Sequence, residues 1–333
     1  MSHKVCLIRG DGTGPELVAA VETVLAAAKV DIDWIELEAG LKAVEAGKAL
    51  VPEETTDRLR EVGVGLKAPM TTPIGQGYVS PNVTLRKKLE LFACVRPVRS
   101  LPGVPTPFHD LDMVIFRENT EDLYAQIEYM ATEHVAHSVK LISDAGCERI
   151  IRAAFEYARR HKRRNVVGVH KANIMKIADG MFLRIFKKIA EEYPDIESWD
   201  NIVDNQCMQL VTKWKLYSVL VTLNLYGDIV SDLAAGMMGG LGVAPGANYG
   251  EKCALFEAVH GSAPKYTGMN KVNPTALLLS ACLMLDHLGE TKARQDVEGA
   301  LEATLGEGVK TYDLGGSATT SGFAEAVASH LKA

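Results

Sequence analysis

The chain has 333 residues, 47% hydrophobic and 23% charged, with a formal net charge of -6. That length suits two domains with sizeable cores, and the acidic balance excludes a general attraction to nucleic acid or anionic lipid. Six scattered cysteines without a CxxC pair argue against a zinc site or a disulfide framework. No apolar run reaches a membrane span and the N-terminus lacks a signal-peptide core, so the expectation is a cytoplasmic protein, or an organelle-matrix one after transit-peptide removal.

The apolar run at 5–8 leads into a glycine-rich turn at 10–14, and Pro15 opens a helix toward residue 27. Strand, turn and helix begin an α/β unit. The turn GDGTG lacks GxGxxG spacing, and no acidic residue about 20 positions on makes a convincing ribose ligand, so this is not read as a Rossmann fold. A strand at 31–37, two helices and a strand at 62–67 follow, the last interrupted by Gly63 and Gly65. This alternation predicts a mostly parallel, helix-covered sheet.

Residues 68–86 form a loop of prolines, glycines and hydroxyls, and a helix is expected over 82–91. Ser80 and Asn82 stand near a helix start, where unsatisfied N–H groups attract an anion. Arg86 is a turn above them, and Arg96 follows the apolar residues 91–95. These arginines suit a polycarboxylate, which guanidinium pairs bidentately; taken by themselves they read first as surface cations of an amphipathic helix.

After a proline-rich connector at 98–109, a strand at 114–116 delivers the polar cluster from Arg117 to Tyr124. Residues 125–144 have mixed strand character. The basic run at 159–164 reads as a solvated helix end, and the buried strand at 166–169 ends in His170 and Lys171. A lysine there is a candidate for proton transfer, or simply one that snorkels at a strand exit. Asp204 stands at the next strand end, as a metal ligand or base partner.

The stretch 222–242 reads TLNLYGDIVSDLAAGMMGGLG. Asp228 and Asp232 are spaced i, i+4 and share one helical face, where like charges repel unless a cation intervenes. Mg²⁺ or Mn²⁺ suits such oxygen donors; the alternative is a solvated helix start with Asp228 near the N-cap. Beyond it, His260-Gly261-Ser262 is a small-residue turn that lets a ligand approach the backbone. Lys265 and Tyr266 add a cation and a hydroxyl, and Asn273-Pro274 opens a long apolar helix.

GDGTGPE, TTPIG, RENTEDLY, VHKANIMK, IVDN, NLYGDIVSDLAAGMMGGLG, HGSAPKY and Tyr312-Asp-Leu-Gly-Gly316 run collinearly through the chain. Together they resemble the β-decarboxylating dehydrogenases, the family of isocitrate, homoisocitrate and 3-isopropylmalate dehydrogenases. The resemblance implies the family's two-domain α/β fold, with the active site in an interdomain cleft. One discontinuous cofactor-binding domain would comprise 1–96 plus 243–333. A smaller domain would span 97–242, with a dimer-forming segment near 123–145.

By the same resemblance, Asp204, Asp228 and Asp232 are metal ligands, and Ser80, Asn82, Arg86, Arg96 and Arg117 bind substrate. Lys171 and Tyr124 are catalytic; Thr72, His260, Gly261, Lys265, Tyr266, Asn273 and Tyr312 contact the cofactor. In the family Lys171 and one aspartate come from the neighbouring subunit, which implies a homodimer with shared sites. The Ser-x-Asn-x-x-x-Arg pattern at 80–86 matches isocitrate enzymes, so oxidative decarboxylation of isocitrate is expected. Homoisocitrate, or a non-catalytic regulatory subunit, is the alternative. Lys265, Tyr266 and Tyr312 match NADP-using members, although Gly316 replaces their arginine and Leu314-Gly-Gly316 looks more like NAD-linked ones. NADP is therefore the expected cofactor, with NAD as alternative, and Mg²⁺ or Mn²⁺ the expected metal.

Overall fold

A computed structural model describes residues 2–72 and 79–331; Pro73 to Gly75 of the TTPIG motif fall outside it. The first elements are β1 (His3–Ile8), α1 (Gly14–Ala27), β2 (Ile32–Glu36), α2 (Leu41–Glu45), α3 (Glu53–Val62), β3 (Val64–Lys67) and α4 (Pro81–Lys88). Next come β4 (Ala93–Arg99), β5 (Asp112–Glu118), β6 (Glu128–Thr132), β7 (Val135–Ser138), α5 (Asp144–Arg160), β8 (Asn165–His170) and α6 (Ala178–Ala190). The chain continues through β9 (Glu197–Ile202), α7 (Val203–Lys213), β10 (Val219–Thr222) and α8 (Asn224–Met238). It closes with β11 (Pro245–Tyr249), β12 (Ala254–Ala258), α9 (Thr275–His287), α10 (Thr291–Gly306) and α11 (Thr320–Leu331).

The chain folds as two compact units, one of residues 1–89, 100–109 and 238–333, the other of 90–99 and 110–237. The sequence placed the changeovers at 96/97 and 242/243. Strand β4 goes with the second unit because it pairs antiparallel with β5 along its whole length, from Ala93 opposite Glu118 to Arg99 opposite Asp112.

In the first unit the strand order is β2-β1-β3-β12-β11, parallel except for the β11–β12 pair. Helix α9 is buried at nearly every position from Thr275 to Leu285, which explains why it is apolar all round rather than on one stripe. Helices α1 and α11 pack together, burying Leu17, Val21, Val24, Phe323 and Val327. In the second unit the order is β4-β5-β10-β8-β9, with β5, β10, β8 and β9 mutually parallel. Strands β8 and β10 are buried at every residue, as expected of parallel strands covered on both faces. Gly168 leaves room on β8 for the Phe186 ring, which would lie 2.9 Å from an added Cβ.

Two local expectations change. Helix α8 starts at Asn224, so Asp228 lies a full turn inside it and is no N-cap. Helix α4 stops at Lys88 rather than reaching 91, and Glu90 takes a left-handed φ of 52° just beyond it.

Candidate active site

In the second unit four parallel strands bring their carboxyl ends to one edge, where open α/β sheets bind ligands. Arg117 is near the end of β5, Lys171 just past β8, Asp204 just past β9 and Asn224 just past β10. Arg117 is fully buried, an expensive place for a charge unless it is paired. Its Nε donates to Asn224 Oδ1 at 2.9 Å, its Nη1 donates to Asp228 Oδ1, and its guanidinium lies 4.9 Å from the centre of the Tyr124 ring. Tyr124 Oη donates to the other oxygen of Asp228 at 2.6 Å. Burial and that carboxylate push the Tyr124 phenol above its ordinary value, so it keeps its proton at neutral pH.

Arg96, nearly buried on β4, reaches the same helix. Its Nη1 donates to Ser231 Oγ and, at 3.0 Å, to Asp232 Oδ1; its Nη2 stands 3.8 Å from Asp228. Asp228 and Asp232 therefore do share one face of α8, and two guanidiniums compensate their repulsion. Gly227 makes this possible, because a Cβ there would stand 2.5 Å from Arg117 Cγ.

Lys171 and Asp204 form a separate cluster. Lys171 Nζ donates to Asp204 Oδ1 at 2.5 Å, and this bond lowers the Asp204 pKa. The Lys171 backbone N–H is fixed by the buried Asp179 carboxylate at 2.6 Å. Asp204 sits in the first turn of α7, where the macrodipole also favours a carboxylate. Among the described residues of one chain, no three His, Cys, Asp or Glu side chains gather closely enough to hold a metal. Asp228 and Asp232 suit a hard divalent cation in donor chemistry, but one chain supplies two of the three expected ligands.

In the first unit, the loops after β1, β3 and β12 are tied together. Asp11 accepts from the backbone N–H of Leu41 at 2.9 Å and of Thr71 at 2.8 Å, while Thr13 Oγ1 donates to Ser262 O at 3.1 Å. Gly12 adopts a φ of +58°, and a Cβ there would come within 2.3 Å of Ser262 O, so only glycine fits this crossing. Thr72 is exposed beside it.

Ser80 is the N-cap residue of α4 without a side-chain cap bond, and Asn82 Oδ1 is buried without a hydrogen-bond partner. Arg86 Nη2 donates to Glu257 Oε1 at 2.9 Å. Glu257 also meets Lys67 Nζ at 2.6 Å and Asn248 Nδ2 at 2.8 Å. Complete burial opposes its ionisation, yet Lys67 and Arg86 hold the carboxyl far below the usual carboxylate range. Sequence reading missed Lys67 and Glu257; a lone charge inside an apolar strand was the available signal.

The segment after β12 and the turn between α10 and α11 carry the remaining expected residues. Exposed Gly261 offers its carbonyl to His260 Nδ1 at 3.0 Å, while His260 Nε2 is buried without a partner and burial lowers the imidazole pKa. The Tyr266 and Tyr312 rings lie 5.7 Å apart, with Lys265 Nζ 4.8 Å from the Tyr266 centroid. Lys271, also missed, stands 4.2 Å from the Tyr312 centroid and 5.8 Å from that of Tyr266. Asn273 is buried and donates to Asp313 Oδ2 at 3.0 Å, joining the start of α9 to the Tyr312 turn.

The basic run at 159–164 serves elsewhere. Arg159 and Arg160 close α5, while residues 161–164 border a cavity of about 570 Å³ at the amino ends of the second unit's parallel strands, where Arg163 pairs with Asp112.

Fold and local geometry together define an α/β protein whose strand ends, in each unit, carry paired guanidiniums, ammoniums and carboxylates. The isocitrate/isopropylmalate dehydrogenase family matches residues 4–327. The chain is 50% identical over 336 residues to an NADP isocitrate dehydrogenase of Thermus thermophilus, covering 98% of this chain and 67% of that protein. It is 46% identical over 327 residues to a mitochondrial NAD isocitrate dehydrogenase catalytic subunit of Arabidopsis thaliana, covering 98% and 87% respectively. An isocitrate dehydrogenase crystal structure from Methylococcus capsulatus matches with a TM-score of 0.96 at 46% identity, covering 99% of this chain and 100% of that one. The chain belongs to the isocitrate/isopropylmalate dehydrogenase family.

Proposed function

We propose that this protein oxidatively decarboxylates isocitrate to 2-oxoglutarate and CO₂, with NADP preferred over NAD as hydride acceptor. The observation that carries this reading is the Arg117–Asp228–Tyr124 cluster with Arg96 beside it. Buried guanidiniums bind carboxylates bidentately, and a phenol held protonated can serve as a general acid. In this reading Arg96 and Arg117 engage substrate carboxylates, as do Ser80, Asn82 and Arg86. Lys171, coupled to Asp204, takes the hydroxyl proton. Tyr124 returns a proton to carbon once CO₂ has left.

When bound, a divalent metal supplies Lewis-acid stabilisation of charge on the substrate oxygens. Asp228 and Asp232 would hold it together with Asp204 of a second copy. The two-copy arrangement is supported by the separation of the Lys171–Asp204 pair from the Asp228 cluster within one chain. It is also supported by the β6–β7 hairpin, where Tyr129, Met130 and Val135 are all exposed. An isolated ribbon of this kind is marginal in water, and its apolar side chains favour cover by a second copy. The protein's six free cysteines favour a reducing compartment, the cytoplasm or an organelle matrix.

NADP is favoured because Lys265, Tyr266 and Tyr312 present a cation and phenols where an acid would repel a 2′-phosphate. Thr72, His260, Gly261 and Asn273 are assigned to the same cofactor. The test is initial rates with isocitrate and Mn²⁺, comparing NADP, NAD and homoisocitrate. The expected result is a kcat/KM for NADP about tenfold or more above that for NAD, a difference of roughly 1.4 kcal/mol. A preference for NAD contradicts the cofactor assignment, and activity confined to homoisocitrate contradicts the substrate. Lys265→Asp combined with Tyr266→Ile should reverse the preference; unchanged NADP selectivity would remove these two side chains from the explanation.

A further inference from the structure

Gly316 leaves a gap in the expected phosphate site, and the structure closes that position to any side chain. A Cβ on Gly316 would stand 2.0 Å from Lys310 O, because the turn folds back on itself through Gly316 N–H to Thr311 O at 3.0 Å. A second cation facing the Tyr266 and Tyr312 rings would come from another part of the chain.

We propose that Lys271 is that cation, a specificity-determining residue whose ammonium binds the ribose 2′-phosphate of NADP together with Lys265, Tyr266 and Tyr312. This rests on the NADP reading above. Lys265 and Lys271 both face the Tyr266 ring, and Lys271 also lies over Tyr312. Neither lysine has a carboxylate partner among the described residues, so neither ammonium is tied up in an ion pair there. Two ammoniums on one pair of rings repel each other, and a dianionic phosphomonoester between them removes that repulsion.

The backbone around Lys271 is fixed in advance. Asn270 Nδ2 donates to Ser321 Oγ at 2.8 Å, and Asn270 Oδ1 accepts from Ser321 N at 2.9 Å. Its carbonyl accepts from Thr320 N at 3.0 Å. Asn273 ties the other side of Lys271 to Asp313. The nearby acid, Asp313, is itself engaged by Asn273 and by Thr311 Oγ1 at 2.5 Å. A ligand cation held on a pinned segment loses little entropy on binding.

The experiment compares the wild-type protein with Lys271→Gln and Lys271→Arg, using NADP and NAD at saturating isocitrate and Mn²⁺. Competitive inhibition by 2′,5′-ADP and by 5′-AMP is measured alongside. One charge-assisted contact corresponds to about a tenfold change. Lys271→Gln is expected to raise KM for NADP and the 2′,5′-ADP inhibition constant by about that factor, with the loss in KM rather than kcat and falling selectively on the phosphorylated ligands. Lys271→Arg is expected to restore most of the loss. A wild-type preference for NAD overturns the NADP reading and this assignment with it. A wild-type preference for NADP that Lys271→Gln leaves intact overturns the assignment of Lys271 alone. Equal losses with both cofactors do so too, since they mark a structural role.

Discussion

Arg117 shows how much of the site rests on single residues. It is buried at the end of β5, held by Asn224 and Asp228 and covered by the Tyr124 ring. Its position depends on Gly227 having no side chain. In Gly227→Ala the new methyl would meet Arg117 Cγ and Cβ at 2.5 and 2.6 Å, atoms too near the backbone to swing aside. The expected result is a stability loss of about 1–3 kcal/mol and a fall in kcat/KM for isocitrate of about 10²-fold, since misplacement near 1 Å costs that much. Steady-state rates and denaturant melts on the same preparation check both. Tyr124→Phe keeps the ring over Arg117 but removes the proton, so kcat should fall by about 10²- to 10⁴-fold with little change in KM. An unaltered kcat would remove Tyr124 from the chemistry. Arg117, Tyr124 and Asp228 were legible in the sequence as polar residues at a strand end and as an i, i+4 pair. Their mutual contacts were not, because Arg117 and Asp228 are 111 residues apart and meet only through sheet pairing.

At the scale of elements, parallel pairing of β3 with β12 sets Lys67 opposite Glu257, and α4 adds Arg86 from above. The strands themselves could be read from their apolar runs. Their register could not, so this buried triad was invisible until the strands were paired. Replacing Glu257 by Gln leaves the Lys67 ammonium buried without its counterion, and a destabilisation of about 3–5 kcal/mol is expected. The pH dependence follows from the depressed pKa. The folded value lies below the unfolded one, so the stabilisation is fully present above the unfolded carboxyl pKa of about 4.3. It is lost as pH falls below that toward the folded value. Wild-type and Glu257→Gln proteins should therefore differ most in melting temperature near neutrality and converge in strong acid. A gap that is constant down to the acid transition would contradict this.

For the whole molecule, the order of motifs along the chain was enough to identify the family, because strand ends and their following turns keep their chemistry in sequence order. The chain's division into units was less legible at its edges, since the pairing of β4 with β5 is a tertiary choice. What the sequence lists as one catalytic set, the structure separates into an Asp228 cluster and a Lys171–Asp204 pair. We assign them to one another across two copies. The exposed hairpin supplies a first check: if a second copy covers it, Met130→Glu should shift the sedimentation of the protein toward a single chain, and activity should fall with it.

The most direct measurement co-expresses Tyr124→Phe and Lys171→Met chains under distinct tags and assays the mixture against each variant alone. If Lys171 completes the site of a second copy, random pairing makes half the dimers hybrid, each with one intact site and one doubly impaired. Activity should then recover to about a quarter of wild type, a consequence of two-fold symmetry alone. A mixture no more active than its parents would contradict the shared site and return both clusters to a single chain.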